Sequence, residues 1–424
     1  MDTNQQYDAV IIGGGPAGAT TATILAMKGR RVLVLEREHF PRYKIGESLI
    51  PYCYFTLERL GVIPKLTESI AQKKYNVQFV REDGRVSAPF YFNQHLKHEA
   101  SMTWQVRRDD FDMMMLDNAR EHGVEVIEGI NVKEAIREGD TVVGVIAEDQ
   151  DGNRREFRAQ VTVDASGRDA FTINRNDWKV PDPMLKKVAI WTYYKGAKRD
   201  PGIDEGATTV AYLPDKGWFW YLPLPNDEVS VGITAEREYL YRDLPDGKRD
   251  PEFIFNREIE NNEWIRDHLS IGEQFGGYRV TGDYSYRSKY CATDGVVLVG
   301  DAFAFLDPVF SSGVFLALRS GEVAADHIDE ALTRGDVSAS AFAEYGEMMC
   351  EGMEAMRKLV YAFYDDDFSF GKMLKKYPDL KGDVTDCLIG HLFKDFTEMW
   401  QAASEFAEMP EPLEHGRPLV EAST

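Results

Sequence analysis

Cysteine is scarce in this chain and badly placed for chemistry. Cys53, Cys291, Cys350 and Cys387 are scattered over 424 residues without a C-x-x-C pair. That spacing argues against a zinc ribbon or a redox dithiol and fits a reducing, cytoplasmic setting. Positive charge is outweighed by acid, leaving a formal net charge of −22. The basic footprint of a nucleic-acid binder is therefore missing, and an anionic membrane surface is disfavoured. No apolar run approaches the roughly 20 residues that cross a bilayer. The first residues, Met1 to Gln6, are polar and acidic, so no secretory signal is expected. The eight histidines lack ligand spacing with one another, and no metal is expected. What remains is a chain 43% hydrophobic, enough for a large core, and its length suggests two or three folding units.

The first unit begins almost at once. Asp8-Ala9-Val10-Ile11-Ile12 reads as a buried strand, an Ala/Thr/Leu helix runs from about Ala17 to Lys28, and Arg31 to Leu35 is the next strand. This is a βαβ unit. Between its first strand and its helix lies Gly13-x-Gly15-x-x-Gly18. Gly13 permits the tight turn, Gly15 lets the backbone approach a pyrophosphate, and Gly18 lets helix and strand pack closely. The helix N-terminus offers amides and partial positive charge to a phosphate. Glu36 ends the second strand, where a carboxylate accepts hydrogen bonds from ribose hydroxyls. NAD and FAD share this fingerprint, and no second copy follows.

Farther along, Pro41 to Pro51 reads as a loop. From Lys74 the residues alternate as a strand. Asp110 is placed to cap a helix that Gly123 ends, and a hairpin turns near Asp151-Gly152. Residues 187 to 275 are strand-like and aromatic-rich, and predict a second, antiparallel sheet. Gly295 to Asp301 returns to a buried parallel-type strand, a long helix follows Gly313, and the pattern is helical from residue 340.

Three ordered segments decide the cofactor. Arg108-Asp109-Asp110-Phe111-Asp112, Asp164-Ala165-Ser166-Gly167 and Val297-Leu298-Val299-Gly300-Asp301-Ala302 resemble motifs of the FAD-dependent monooxygenase and halogenase superfamily. The resemblance implies a single-Rossmann, para-hydroxybenzoate-hydroxylase-like α/β fold. It gives Asp301 the ribityl chain and Arg108 a cofactor contact. It extends the FAD-binding set to Gly13, Gly15, Ala17, Gly18, Glu36, Arg37, Gly46, Ser48, Val132, Pro308, Gly313 and Val314. The helix after Gly313 would point positive potential at the flavin.

Trp218-Phe219-Trp220-Tyr221-Leu222-Pro223 resembles the W-x-W-x-I-P signature of flavin-dependent halogenases, with Leu222 in place of Ile. Strand geometry puts Trp218, Trp220 and Leu222 on one face. Two stacked indoles would then form a water-excluding wall between flavin and substrate. An aromatic core strand is the plainer reading. Lys73-Lys74-Tyr75-Asn76-Val77-Gln78-Phe79 resembles the segment with the family's catalytic lysine. Alternation selects Lys74, on the polar face with Asn76 and Gln78, while Lys73 snorkels. Such an amine can hydrogen-bond hypohalous acid or form a haloamine. A solvent-exposed lysine pair is the alternative. Leu306 to Gly313 resembles the halide-binding segment, with Ser311, Ser312 and Gly313 as donors at a helix N-terminus, although serines there also serve as ordinary caps. Arg42 to Ser48 resembles the family's G-E-S loop.

These resemblances cover roughly residues 7–335 and lie nearest the branch acting on phenols and pyrroles. They imply an FADH2-dependent halogenase that oxidises chloride or bromide with O2 through a flavin hydroperoxide and halogenates an electron-rich aromatic small molecule. Reduced FAD would come from a separate flavin reductase. A carrier protein is an alternative partner, for which Lys372, Lys375 and Lys376 would supply a basic patch, although a solvated helix face explains these lysines as well and a free small molecule is preferred. The expected units are residues 1–78, 101–186 and 276–335 for FAD, 79–100 and 187–275 for a substrate-side sheet, and 336–424 for a helical region. An NADPH-using aromatic hydroxylase or prenyl-chain reductase of the same superfamily, and a non-catalytic flavin redox sensor, stand as alternatives.

Overall fold

The computed structural model describes residues 6–214, 217–282 and 285–420. Met1 to Gln5, most of the segment read above for a secretory signal, lies outside the described residues. The chain opens with β1 (Tyr7–Ile12), α1 (Pro16–Met27) and β2 (Val32–Glu36). β1 pairs in parallel with β2 on one side and with the strand Arg154–Asp164 on the other. Val296–Leu298 and Glu125–Glu128 extend the parallel ladder outward at the two sides. The central strands are almost wholly buried, which is why they read as continuous apolar runs rather than alternating ones.

β3 (Gln72–Lys74) and β4 (Asn76–Val80) leave this unit for a second, seven-stranded sheet, which β4 joins. α2 (Arg108–Glu121) then returns to the first. It starts two residues before the Asp110 cap expected from sequence. Arg107 takes the cap position with extended backbone, and Asp109 and Asp110 fall inside the first turn, where acid complements the helix dipole.

The second sheet runs in the order Glu273–Gly282, β5 (Lys187–Lys195), β8 (Glu228–Glu236), β7 (Trp218–Pro223), β6 (Thr208–Tyr212), β4 and Phe90–Tyr91. It is antiparallel except where β4 meets β6, a parallel pair. β4 arrives from far upstream in the chain, so no hairpin dictates its direction. The stretch expected to be strand-like also holds three helices, the short Arg237–Leu240 and the longer Pro251–Ile259 and Glu263–Leu269, the last two capped by the side chains of Asp250 and Asn262. Their Ile254, Phe255 and Ile265 cover one sheet face, packing with Phe219, Tyr221 and Val231. Alternation along β7 turns Trp218, Trp220 and Leu222 to the opposite face.

α3 (Ser312–Arg334) packs on α1 so closely that a Cβ on Gly321 would stand 2.6 Å from the Ala17 carbonyl oxygen. α4 (Ala343–Tyr364) buries Tyr345, Met349, Met353, Met356, Val360 and Phe363, a stripe at helical spacing. The Tyr345 hydroxyl donates to the Leu298 carbonyl at 2.6 Å, tying α4 to the first sheet. Among the described residues no helix is long and apolar enough to cross a membrane.

Candidate active site

A cavity of about 890 Å³ is lined from both sheets. At one end stand Gly13, Gly15 and Ala17. Gly13 has φ +100°, and a Cβ there would lie 2.6 Å from the Ala165 carbonyl oxygen. Gly15 is the N-cap of α1 and no side chain caps that helix, so its first amides are left for a ligand. The Arg42 guanidinium lies beside Gly15 and is held by Asp112 at 2.7 Å. Glu36 closes this end, accepting from the Gly14 amide at 2.7 Å and the Glu38 amide at 2.9 Å. Arg37 and Val132 also line the cavity. Gly18 does not; it is packed against Gly13, and a Cβ there would sit 2.0 Å from the Gly13 carbonyl oxygen.

In the middle, Arg108 donates to both Asp112 oxygens, at 2.8 and 2.9 Å, and to the Ile45 carbonyl at 2.6 Å. Its guanidinium lies against Gly46. Asp301 faces it across the cavity lining, and desolvation raises the Asp301 carboxyl to about 6. Asp164, by contrast, serves the turn: it accepts from the Ser166 amide and hydroxyl and from the Thr172 amide.

The far end is the aromatic wall. Trp218 and Trp220 line the cavity with ring centroids 6.0 Å apart and planes tilted by 51°, so the indoles form a tilted rather than a stacked pair. Gly232 on β8 makes room for them, since a Cβ there would meet the Trp220 ring at 2.2 Å. The Trp218 indole N–H donates to the Tyr364 hydroxyl at 2.8 Å, and that hydroxyl donates to Asp307 at 3.0 Å. The last residue of α4 thereby joins the wall to the loop of the expected halide site. In that loop Pro308, Ser311, Gly313 and Val314 line the cavity. Ser311 is in the left-handed region at φ +56° and is the N-cap of α3, without a side-chain cap. Ser312 is buried behind the lining, its hydroxyl without a partner.

Lys74 is only 2% exposed. Its amine donates to the Ser48 hydroxyl at 2.8 Å and to the Leu49 carbonyl at 3.0 Å. Burial lowers it to about 7. The Lys74, Asn76 and Gln78 face is polar as expected, but buried: Asn76 donates to Asp204 at 2.6 Å and Gln78 to Asp200 at 2.7 Å. Lys73 is exposed. Ser48 and Thr208, their hydroxyls 2.9 Å apart, line the cavity. The Lys74 amine therefore stands one hydroxyl behind the cavity lining.

Two lining residues, Arg42 and Glu47, and one residue behind the lining, Tyr193, escaped the sequence reading. Arg42 and Glu47 lay inside a segment matched only as a motif, and Tyr193 lay in an aromatic strand with nothing to distinguish it. The signal for Glu47 was a carboxylate in a loop otherwise matched to a cofactor. Its Oε1 accepts from the Tyr193 hydroxyl at 2.7 Å, and burial raises it to about 7.

FAD fits these residues. The glycine cradle would be filled by any Cβ, the α1 amides have no cap, and an arginine stands at the diphosphate position. The family model described as "Tryptophan halogenase" matches residues 8–98 and 81–407. The chain is 32% identical to a 1H-pyrrole-2-carbonyl-[peptidyl-carrier protein] brominase of Pseudoalteromonas luteoviolacea, over 96% of this chain and 97% of that one. It is 30% identical to the corresponding chlorinase of Pseudomonas fluorescens, over 92% and 90%. The solved structure of the flavin-dependent brominase Bmp2 superposes with a TM-score of 0.85 at 30% identity, covering 95% of this chain and 97% of that one.

Proposed function

The chain belongs to the flavin-dependent halogenases, and from that premise we propose that it places chloride or bromide on an electron-rich aromatic ring, with Lys74 handling the oxidised halogen. When bound, FAD supplies the oxidising equivalents, drawn from O2, that turn halide into an electrophilic halogen. Gly13, Gly15, Arg42 and the α1 amides would hold its diphosphate, Glu36 its ribose, and Asp301 and Arg108 its remaining length. The amides after Ser311, at the N-terminus of α3, provide for a halide. Trp218 and Trp220 exclude water with rigid apolar surface. Near pH 7 the Lys74 amine is divided between two useful forms: neutral, it is a nucleophile toward halogen; protonated, it donates hydrogen bonds to hypohalous acid. One dinucleotide fingerprint serves one cofactor, which supports a separate flavin reductase.

The observation that carries this reading is a buried amine, one hydroxyl from a cavity that ends in paired indoles. Two relatives matched along nearly their whole length act on pyrroles attached to a peptidyl carrier protein. That supports a carrier-bound aromatic acyl group over the free small molecule preferred from sequence alone. The test is incubation with a flavin reductase, halide, and either carrier-loaded pyrrolyl groups or free phenols, indoles and pyrroles, read by mass spectrometry for halogen isotopes. Halogenation of the carrier-loaded group alone is expected, and halogenation of free rings alone would overturn the carrier reading. Lys74→Met is expected to keep FAD while losing at least about 100-fold in rate. Full activity in that variant would remove the lysine from the chemistry.

A further inference from the structure

A formal net charge of −22 repels anions, and FAD carries an anionic diphosphate. Reduced flavin free in solution is lost to O2, so a chain fed by a separate reductase has to capture it quickly. The cavity lining has the opposite balance from the surface. Six of its residues are cationic, Arg37, Arg42, Lys44, Arg108, Arg168 and Arg175, against the acids Glu36, Glu47, Asp169 and Asp301. Four of the six are paired: Arg37 with Asp169, Arg42 and Arg108 with Asp112, and Lys44 with Glu38. Arg168 and Arg175 differ. Both are exposed, and their hydrogen bonds go to neutral oxygens. Arg168 donates to the Thr281 hydroxyl at 2.9 Å, and Arg175 to the Lys133 and Phe171 carbonyls at 3.3 and 3.1 Å. Among the described residues neither has an acid at ion-pair distance. Each guanidinium rests on a lining ring, Arg168 5.2 Å from the centroid of Phe305 and Arg175 3.8 Å from that of Phe171. Glu36 and Glu47 are buried, and Asp301 faces Arg168 only at longer range. An arriving anion therefore meets the two free cations first.

We propose that Arg168 and Arg175 are a capture pair for the anionic cofactor: they draw FAD to the mouth of the cavity and set its association rate, while the glycine cradle and Arg42 hold it afterwards. This rests on the assignment of FAD to the cavity and not on halogenation. Arg168 reaches from the turn after Asp164 to the edge strand Glu273–Gly282 of the second sheet. Arg175 binds the backbone beside Val132, at the end where Glu36 stands. An extended dinucleotide can thus be met near either end. At physiological salt a charge is felt over only about 8 Å, so the rim outweighs the distant acidic surface. Cations lining a cleft focus the field and raise association rates by about 10-fold or more, and rim charges act on association rather than on dissociation. The sign of the salt effect follows. Salt weakens attraction by the rim and slows association, whereas repulsion by the acidic surface would make association faster as salt is added.

The test follows the binding of oxidised FAD to the full chain freed of flavin, by stopped-flow flavin fluorescence. Between about 0.1 and 0.5 M salt, where the screening length is about 10 Å or less, wild-type association is expected to slow at least about 3-fold. The double variant Arg168→Gln, Arg175→Gln is expected to associate about 10-fold more slowly at the lower salt and to lose that slope, with dissociation within about 2-fold of wild type. Lysine at both positions should restore most of the rate, since it returns the charge without the guanidinium fork. Lys381→Gln, which removes an equal charge outside the cavity lining, should change nothing. The proposal falls if wild-type association quickens with salt, or if the double glutamine variant associates as fast as wild type. It falls equally if the loss appears in dissociation, or if lysine restores nothing. A chain that captures FAD in this way yet halogenates nothing would leave the capture pair standing and sink the halogenase reading instead.

Discussion

Lys74 carries the sharpest conflict between stability and chemistry in this molecule. Its amine is 2% exposed, with one hydroxyl and one carbonyl for company, and burial lowers it to about 7 from 10.5. The unfolded chain protonates this amine below about pH 10.5, whereas the folded chain resists until about 7. The stability contribution is therefore complete above 10.5 and is lost as the pH falls toward 7. At roughly 1.4 kcal/mol per unit, replacing the amine should remove a pH dependence of a few kcal/mol. Chemical denaturation of Lys74→Met and wild type at pH 7 and pH 10 should show the variant gaining on wild type at the lower pH. Parallel curves would mean that water reaches the amine. The K-K pair and the alternation after it made Lys74 legible in the sequence. Its burial was not, because alternation separates two faces without saying which is inside. The acids that satisfy the neighbouring polar side chains, Asp200 and Asp204, come more than 120 residues later.

At the scale of the element, β7 is a strand that divides its two faces between two tasks. Phe219 and Tyr221 anchor it in the core under the helices, and Trp218, Trp220 and Leu222 face the cavity. The angle of the indoles depends on Gly232 in the neighbouring strand, where a Cβ would strike the Trp220 ring at 2.2 Å. Gly232→Ala is expected to leave FAD affinity within about 3-fold and to shift tryptophan fluorescence. It should also raise the share of oxidised halogen captured by a scavenger added to the solution. An unchanged share would mean that Trp220 is no barrier. Tyr364→Phe tests the other support of the wall. It orphans the Trp218 indole N–H and removes a donor from buried Asp307, a loss of about 1–3 kcal/mol. Thermal unfolding should register that loss, and the halide KM should rise. The tryptophan spacing gave away the wall's position, but stacked indoles were the wrong expectation, because the glycine that tilts one of them lies on a different strand.

For the whole molecule, the cavity reaches from the glycine turn of the first sheet to the indoles of the second, so a ligand filling it holds the two together. FAD at 100 times its dissociation constant should stabilise the chain by about 2.7 kcal/mol. Calorimetry should show this as one unfolding transition moved upward, whereas NADPH without FAD should move nothing. Two separate transitions with FAD bound would contradict it. The first sheet was legible because its buried parallel strands spell continuous apolar runs beside a glycine fingerprint. The helices at Pro251–Ile259 and Glu263–Leu269 were not, since their short amphipathic pattern is hidden among aromatic strands. Apart from the lysines at 372, 375 and 376, nothing in the region after residue 340 suggested a task from sequence. The hydroxyl that ends α4 now gives it one, with a practical consequence for hybrid enzymes. A C-terminal segment grafted from another member of this family would arrive with its own helix end. Unless a phenol lands within reach of both Trp218 and Asp307, the recipient would keep its flavin pocket and lose the registration of its wall, so exchange of that segment to alter selectivity should succeed only with donors that bring the tyrosine along.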